Sequence, residues 1–91
     1  MKRVLIRVKG KVQGVCFRRC ALEKARELGV TGYVTNLDDG SVEILAQGSF
    51  PAVDQLIEWC WLGSPGASVS QVLVEEDVEN EIYLDFSITQ S

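Results

Sequence analysis

The order in which strand-like and helix-like hydrophobic patterns follow one another constrains this fold more than any other feature. Apolar and polar residues alternate over Lys2–Lys9, as in a half-buried strand, and Phe17–Leu28 then places its apolar residues along one helix face. Two strand patterns follow, over Thr31–Leu37 and Ser41–Ala46, and Asp38–Gly40 between them is a hairpin signal. The first half of the chain is therefore predicted to run strand, helix, strand, strand.

The second half of the chain continues this alternation of patterns. Ser49 is a suitable N-cap and Pro51 a suitable first-turn residue for a second helix. The predicted core face of this helix consists of Val53, Leu56, Ile57 and Cys60. Strand patterns follow over Val69–Val74 and Ile82–Ile88. This order predicts an α+β fold, a ferredoxin-like split βαβ sandwich with two helices on one face of an antiparallel sheet.

Length and composition are those of one small water-soluble domain. We expect residues 1–91 to form a single domain with one modest core. No apolar run approaches the roughly 18 residues of a membrane span, and the first residues lack the long apolar stretch and cleavage site of a signal peptide. We therefore expect a cytoplasmic protein with no membrane partner. We also expect a monomer, although the sequence pattern itself does not give the oligomeric state.

The charges are divided along the sequence. All nine basic residues lie within positions 1–26, and every acidic residue except Glu23 lies from Glu27 onward. A basic segment can bind nucleic acid, but its charges can also pair with those of another element. Since the ferredoxin-like order places the fourth strand beside the first, we favour pairing between the basic first strand and Glu75–Asp77.

The content of histidine and cysteine limits the chemistry. The chain has no histidine, and its three cysteines form no C-x-x-C pair, which leaves too few ligands for a structural zinc site. We expect no metal and no cofactor. Cys20 and Cys60 are expected to be reduced, packed thiols.

The segment Gly10–Arg18, which reads G-K-V-Q-G-V-C-F-R, is the candidate anion-binding site. It lies between a predicted strand and a predicted helix, where unpaired N–H groups and the helix dipole favour a phosphate or carboxylate. Gly10 and Gly14 allow the turn and a close approach of the backbone to a ligand, and Arg18 adds a planar donor fork. The segment is not a Walker loop, because its two glycines are only four positions apart. Cys16 lacks the arginine spacing of a cysteine phosphatase, so water is the expected nucleophile.

Two segments of the sequence carry a resemblance to a known family. Gly10–Arg18 resembles the acylphosphatase signature G-x-V-Q-G-V-x-F-R, and Gly32–Glu43, G-Y-V-T-N-L-D-D-G-S-V-E, resembles the family's second signature, G-x-x-x-N-x-x-D-G-x-V-E. The resemblance implies metal-free hydrolysis of a small acyl phosphate to a carboxylate and inorganic phosphate. It implies that Arg18 binds the phosphate, that Asn36 orients the attacking water, and that the substrate phosphate takes the proton. The backbone N–H groups that complete the phosphate site are then those of Gln13, Gly14, Val15, Cys16 and Phe17.

The alternative function is a non-catalytic phosphate-binding or RNA-binding ferredoxin-like module. RNA-recognition domains stack bases on aromatic residues of the sheet, but here Lys9 and Gly10 are followed by Lys11 and Val12. We therefore expect no nucleic-acid partner.

Two stretches have no assigned function. Trp61 and Leu62 lie where the second helix should turn polar, and they form either an exposed contact surface or the packed end of the helix, which we favour. The acidic stretch Glu75–Glu81 is longer than the fold requires.

Overall fold

The computed structural model describes residues 1–77 and 81–89, which form five strands and two helices. In chain order these elements are β1 (Lys2–Lys11), α1 (Phe17–Leu28), β2 (Thr31–Asn36), β3 (Val42–Gly48), α2 (Phe50–Leu62), β4 (Ser68–Glu76) and β5 (Phe86–Thr89). α1 has the predicted bounds, since Gly29 takes the left-handed conformation that ends it. Ser49 is the N-cap of α2, and its hydroxyl accepts a hydrogen bond from the N–H of Ala52.

The sheet has the strand order β4-β1-β3-β2-β5. The pairs β1–β3, β1–β4 and β2–β3 are antiparallel, as predicted, and the two helices confirm the α+β ferredoxin-like class. The sheet is mixed rather than wholly antiparallel, because β5 pairs parallel to β2. The reason is topological: β4 ends at Glu76 beside Val4, at the end of the sheet where β2 begins, so the chain crosses to the far edge and then runs in the direction of β2.

The last strand is shorter than the pattern over Ile82–Ile88 predicts and begins only at Phe86. Glu81 and Tyr83, which flank the predicted start of this strand, bond to a side chain. The Gln47 amide donates to the carbonyl of Glu81 at 2.6 Å and accepts from the N–H of Tyr83 at 2.9 Å. The ring of Tyr83 packs on that of Tyr33, on the sheet face opposite the helices, which we call the outer face.

The predicted pairing of the basic first strand with the acidic end of β4 is confirmed for Arg3. The Arg3 guanidinium lies 2.8 Å from the Asp77 carboxylate, and both side chains are largely buried. Other basic residues pair elsewhere, as Lys2 does with Asp54. The rest of the acidic stretch Glu75–Glu81 includes residues outside the described ranges.

The core lies between the helices and the inner face of the sheet. Its members include Val4, Ile6 and Val8 of β1, Phe17, Ala21 and Ala25 of α1, and Val53, Leu56 and Cys60 of α2. Burial of each large apolar side chain contributes about 1.5–3 kcal/mol. Phe17 also packs on Trp59, with ring centroids 5.1 Å apart.

The C-terminal end of α2 is not packed, contrary to the favoured prediction. Trp61 is 55% exposed and Leu62 is 76% exposed. Successive helical residues point about 100° apart, so Trp59 and Cys60 take the inward positions and the next two residues face outward. Of the helices in the described ranges, neither α1 nor α2 has the length and apolar character that crossing a membrane requires.

Candidate active site

A bulge in β1 directs the chain into the candidate anion-binding loop. The register between β1 and β4 shifts between Lys9 and Gly10, and Gly10 has a φ of 128°. A Cβ on Gly10 would lie 2.2 Å from the carbonyl oxygen of Ser68. Gly10 therefore allows a close approach of β4, and not of a ligand as predicted. Gly14, by contrast, is exposed and faces open space.

The loop between β1 and α1 reaches the helix through left-handed residues. Gly14 has a φ of 75° and Cys16 a φ of 59°, and Cys16 is the N-cap residue of α1. Left-handed residues that alternate with right-handed ones turn successive N–H groups toward one concave side, where the helix dipole adds positive potential. Since the Cys16 side chain makes no capping hydrogen bond, the first N–H groups of α1 are available to an anion.

One cavity of about 460 Å³ brings the two signature segments together. Its lining residues are Val12, Gly14, Cys16, Phe17, Arg18, Arg19, Asn36 and Ile88. Arg18 stands in the first turn of α1, and Asn36 is the last residue of β2. Asn36 lies two positions after the core residue Val34, and the alternation of a strand therefore places it on the helix-covered face. Five of the seven predicted site residues thus share this cavity.

Gln13 and Val15, the other two predicted site residues, do not line the cavity. The Gln13 side-chain amide donates to the carbonyl of Leu37 at 2.8 Å and to that of Ser41 at 2.9 Å. The loop is thereby tied to the β2–β3 hairpin that carries Asn36. This link was not predicted, because its partners are backbone groups distant in sequence that only the fold brings near.

The Asn36 side chain has a free acceptor. It is half-buried, and its Oδ1 is fully buried without a hydrogen bond to any described residue. A buried polar oxygen without a partner costs about 1–3 kcal/mol. Since Asn36 lines the cavity, its side-chain amide is available to a water molecule there.

The guanidinium of Arg18 is also available to bind a ligand. Within the described ranges Arg18 forms no ion pair, whereas Arg3 pairs with Asp77 and Arg26 with Asp85. Arg18 is half-buried at the cavity wall. A guanidinium that is partly withdrawn from water and unpaired binds an anion more strongly than an exposed one.

The cysteines differ in their surroundings. Burial raises the pKa of the Cys60 thiol to about 12, which makes this side chain an inert core residue, as predicted. Cys20 is half-buried, and Cys16 is exposed at the cavity. All three thiols are free.

Comparison with known proteins agrees with this geometry. The family model for acylphosphatase matches residues 4–88. The chain is 79% identical to an acylphosphatase of Shewanella amazonensis, and the match covers 100% of both chains. The crystal structure of an acylphosphatase from Bacillus subtilis superposes with a TM-score of 0.94 at 39% identity, covering 98% of this chain and 99% of that one. An acylphosphatase structure from Coxiella burnetii gives a TM-score of 0.92 at 45% identity, covering 97% of this chain and 92% of that one.

The chain belongs to the acylphosphatase family. The resemblance of its two signatures is thereby confirmed, and so is its assignment as a hydrolase of acyl phosphates. In this family member residues of both signatures line one cavity, from the loop before α1 and from the end of β2.

The described part of this acylphosphatase contains no group of three or more His, Cys, Asp or Glu side chains placed to hold a metal ion. None of the described residues that line the cavity carries a carboxylate or an imidazole. The cavity therefore offers cationic, amide and thiol groups, together with an apolar wall that includes Ile88.

Proposed function

We propose that this acylphosphatase acts by in-line attack of a water molecule on a phosphoryl group held by Arg18 and the loop amides, with Asn36 orienting the water. The observation that carries this proposal is the shared cavity of Arg18, Asn36 and the loop before α1. No metal ion and no cofactor take part in the proposed reaction.

The phosphoryl oxygens are bound by two kinds of donor. The guanidinium of Arg18 presents a planar pair of N–H groups, and backbone N–H groups of the loop, among them those of the cavity-lining residues Gly14, Cys16 and Phe17, surround the remaining oxygens. These donors are fixed before the substrate arrives, because Gly14 and Cys16 hold the loop in its left-handed turn. Fixed donors stabilise the charge that develops on the phosphoryl oxygens in the transition state.

The water is bound by Asn36. The side-chain amide of Asn36 hydrogen-bonds to the water and leaves an oxygen lone pair free to attack phosphorus. The new bond joins the water oxygen to phosphorus, while the bond from phosphorus to the carboxyl oxygen breaks and the carboxylate leaves with the electron pair. Positioning of this kind supplies much of the rate enhancement in phosphoryl transfer.

The proton of the attacking water goes to a phosphate oxygen of the substrate. The described lining of the cavity has no carboxylate and no imidazole to act as base. The carboxylate is a good leaving group and needs no acid. The reaction therefore consumes one water and releases a carboxylate and inorganic phosphate.

The test of this mechanism is hydrolysis of benzoyl phosphate in water labelled with heavy oxygen. Attack at phosphorus puts the label into inorganic phosphate, and attack at the carbonyl carbon puts it into benzoate. Label in benzoate would contradict the proposal. Because a phosphocysteine intermediate would also label the phosphate, the same measurement is made on Cys16→Gly, which has no nucleophile at this position and which we expect to turn over with the same label distribution.

We also propose that residues 1–91 act as one domain, as a monomer in the cytoplasm, with a small acyl phosphate as the only substrate and no nucleic-acid partner. The cavity-lining residues of one chain supply the side chains that the mechanism invokes, so the proposed reaction requires no second copy. Light scattering during gel filtration measures the mass in solution, and fractionation of cells measures the location. A dimer that loses activity on dilution would contradict the proposal.

A further inference from the structure

Ser64 is a buried polar residue that the proposed mechanism does not use. It lies in the turn after α2 and is only 4% exposed. Its hydroxyl donates to the carbonyl oxygen of Val15 at 2.8 Å, across 49 positions of sequence. The turn after α2 is thereby joined to the middle of the phosphate loop.

This hydrogen bond fixes the orientation of one peptide group. The peptide between Val15 and Cys16 is trans, and in a planar trans peptide the C=O and the N–H point in opposite directions. With the Val15 carbonyl directed at Ser64, the N–H of Cys16 is directed away from Ser64. Cys16 and its neighbour Phe17 line the cavity, so the donor of this peptide group is available on the ligand side.

The Val15–Cys16 peptide requires a stabilising contact from outside the loop, because its conformation is unfavourable in isolation. Among the described residues Cys16 is the only non-glycine residue with a positive φ. A left-handed L-residue is strained, and rotation of the preceding peptide is the ordinary way to relieve such strain. That rotation would turn the Val15 carbonyl oxygen toward the cavity, where it would repel a phosphate.

Hydrogen bonds and aromatic packing fix the turn that carries Ser64. The N–H of Gly63, the C-cap residue of α2, donates to the carbonyl of Trp59 at 2.8 Å. The carbonyl of Ser64 accepts from the N–H of Ala67 at 3.0 Å. Trp59 packs on Phe17, the first residue of α1. The turn that carries Ser64 is therefore fixed to the same helix end that it supports.

We infer that Ser64 is a positioning residue of the phosphate site, which keeps the Val15–Cys16 peptide turned so that the Cys16 N–H faces the phosphoryl group. The inference rests on the proposed function of the loop. It adds a third element, the turn after α2, to a site that the two signature segments do not complete on their own.

The test compares Ser64→Ala with Ser49→Ala in the folded protein. Ser49 caps α2 through its hydroxyl, so its replacement removes one serine hydrogen bond at a place that does not line the cavity. Inorganic phosphate is titrated by calorimetry, and the backbone N–H signal of Cys16 is followed by NMR in the same titration. Ser64→Ala should lower phosphate affinity by roughly tenfold, the factor that loss of one hydrogen bond typically produces. It should also shrink the phosphate-induced shift of the Cys16 N–H, whereas Ser49→Ala should change neither.

Two further variants keep the test decisive. Ser64→Thr retains the hydroxyl and should restore most of the affinity. If Ser64→Ala does not fold, Ser64→Cys fills the same space with a weak donor. This variant should lower both the phosphate affinity and the phosphate-induced NMR shift of the Cys16 N–H.

The results separate this inference from the proposed function. Unchanged phosphate affinity in folded Ser64→Ala or Ser64→Cys overturns the inference. An equal loss of affinity in Ser49→Ala would also overturn it, because general destabilisation would then explain the effect. Wild-type protein that binds phosphate but does not hydrolyse benzoyl phosphate would contradict the mechanism alone, and a specific loss of binding in Ser64→Ala would still support the inference.

Discussion

At the scale of single residues, Arg18 is expected to act on both the bound substrate and the transition state. Arg18→Ala should therefore weaken phosphate binding and lower turnover together, with a loss in rate on the order of 10³–10⁵, as for other charge-stabilising arginines in phosphoryl transfer. Arg18→Lys should recover little of the phosphate affinity or the turnover, because the point charge of an ammonium group does not reproduce the planar donor fork of a guanidinium. Phosphate titration and steady-state kinetics on benzoyl phosphate measure both effects.

The matched control for Arg18 is Arg26→Ala. Arg26 lies on the same helix and pairs with Asp85 at 3.2 Å, away from the cavity lining. We expect its kinetics to be those of the wild type. Wild-type phosphate affinity in Arg18→Ala would show that the assignment is wrong.

Asn36 should give a different pattern, because it contacts the water rather than the phosphate. Asn36→Ala should abolish most turnover and leave phosphate affinity nearly unchanged, which is the pattern of an interaction made in the transition state. Its thermal stability should stay equal or rise, since the substitution removes a buried oxygen that has no partner among the described residues. Normal turnover by a folded Asn36→Ala protein would contradict the assigned role.

Cys16 makes the third residue-scale prediction. Cys16→Gly should retain most of the turnover and should gain about 1 kcal/mol in the free energy of unfolding, because glycine takes the left-handed conformation without strain. Urea denaturation measures the gain, and benzoyl phosphate kinetics measures the activity. In the wild type, inorganic phosphate should protect the Cys16 thiol from alkylation. Complete loss of turnover in both Cys16→Gly and Cys16→Ser would instead indicate covalent catalysis.

That Arg18 and Asn36 share a cavity could be predicted, because each residue belongs to a contiguous signature with fixed spacing. The links from Gln13 to the hairpin and from Ser64 to Val15 could not. Both join a side chain to a backbone carbonyl far away in sequence, and neither residue type indicates its partner.

At the scale of secondary-structure elements, Tyr33 reports on how β2 packs against its neighbours. Burial raises the pKa of Tyr33 to about 12, and the hydrogen bond from its hydroxyl to Glu43 acts in the same direction. The phenol titrates near 10.0 in the absence of these effects. The neutral phenol therefore contributes its full stability below pH 10, and this contribution is lost as the pH rises toward 12.

The expected result is a stability that falls over this alkaline range in the wild type and falls less in Tyr33→Phe. Thermal melts at a series of pH values measure the slope, and the tyrosinate absorbance measures the titration itself. Burial also raises the pKa of Tyr83, so Tyr83→Phe, which leaves Tyr33 as the single tyrosine of the sequence, separates the two phenols. Its stability should still fall over the alkaline range. A Tyr33→Phe slope identical to that of the wild type would contradict the prediction.

The element boundaries show where local patterns suffice. α1 has the predicted bounds because Gly29 ends it and the loop glycines precede it, all within one short stretch. The predicted start of β5 at Ile82 was wrong. The alternation over Ile82–Ile88 resembles a strand throughout, but the backbone near Tyr83 bonds to the Gln47 side chain. A pattern in sequence indicates which residues can form a strand, but the available backbone partners decide which of them do.

At the scale of the whole molecule, the prediction concerns metal ions. Activity on benzoyl phosphate should survive a strong chelator unchanged, because the proposed donors are a guanidinium and backbone N–H groups. The assay compares initial rates with and without the chelator, and with Mg²⁺ or Zn²⁺ added back. Activity that disappears with the chelator and returns with either ion would contradict the mechanism.

The overall architecture was predictable because the order of patterns along the chain leaves few alternatives. The parallel pairing of β5 was not predicted. It depends on which edge of the sheet remains open after four strands have paired, and no single stretch of sequence records that. The division of charge along the chain is explained in part by the pairing of Arg3 with Asp77 between β1 and the end of β4.

The placement of β5 has a consequence for the synthesis of the protein. β1 leaves the ribosome before its partners β3 and β4, which follow much later in the chain. Phe86 of β5 is fully buried in the core, and Ile88 belongs to the wall of the cavity. A growing chain can therefore complete neither its core nor its site until these last strands emerge. Because contacts between distant parts of a chain form slowly, we expect the core of this domain to close only after β5 has been synthesised.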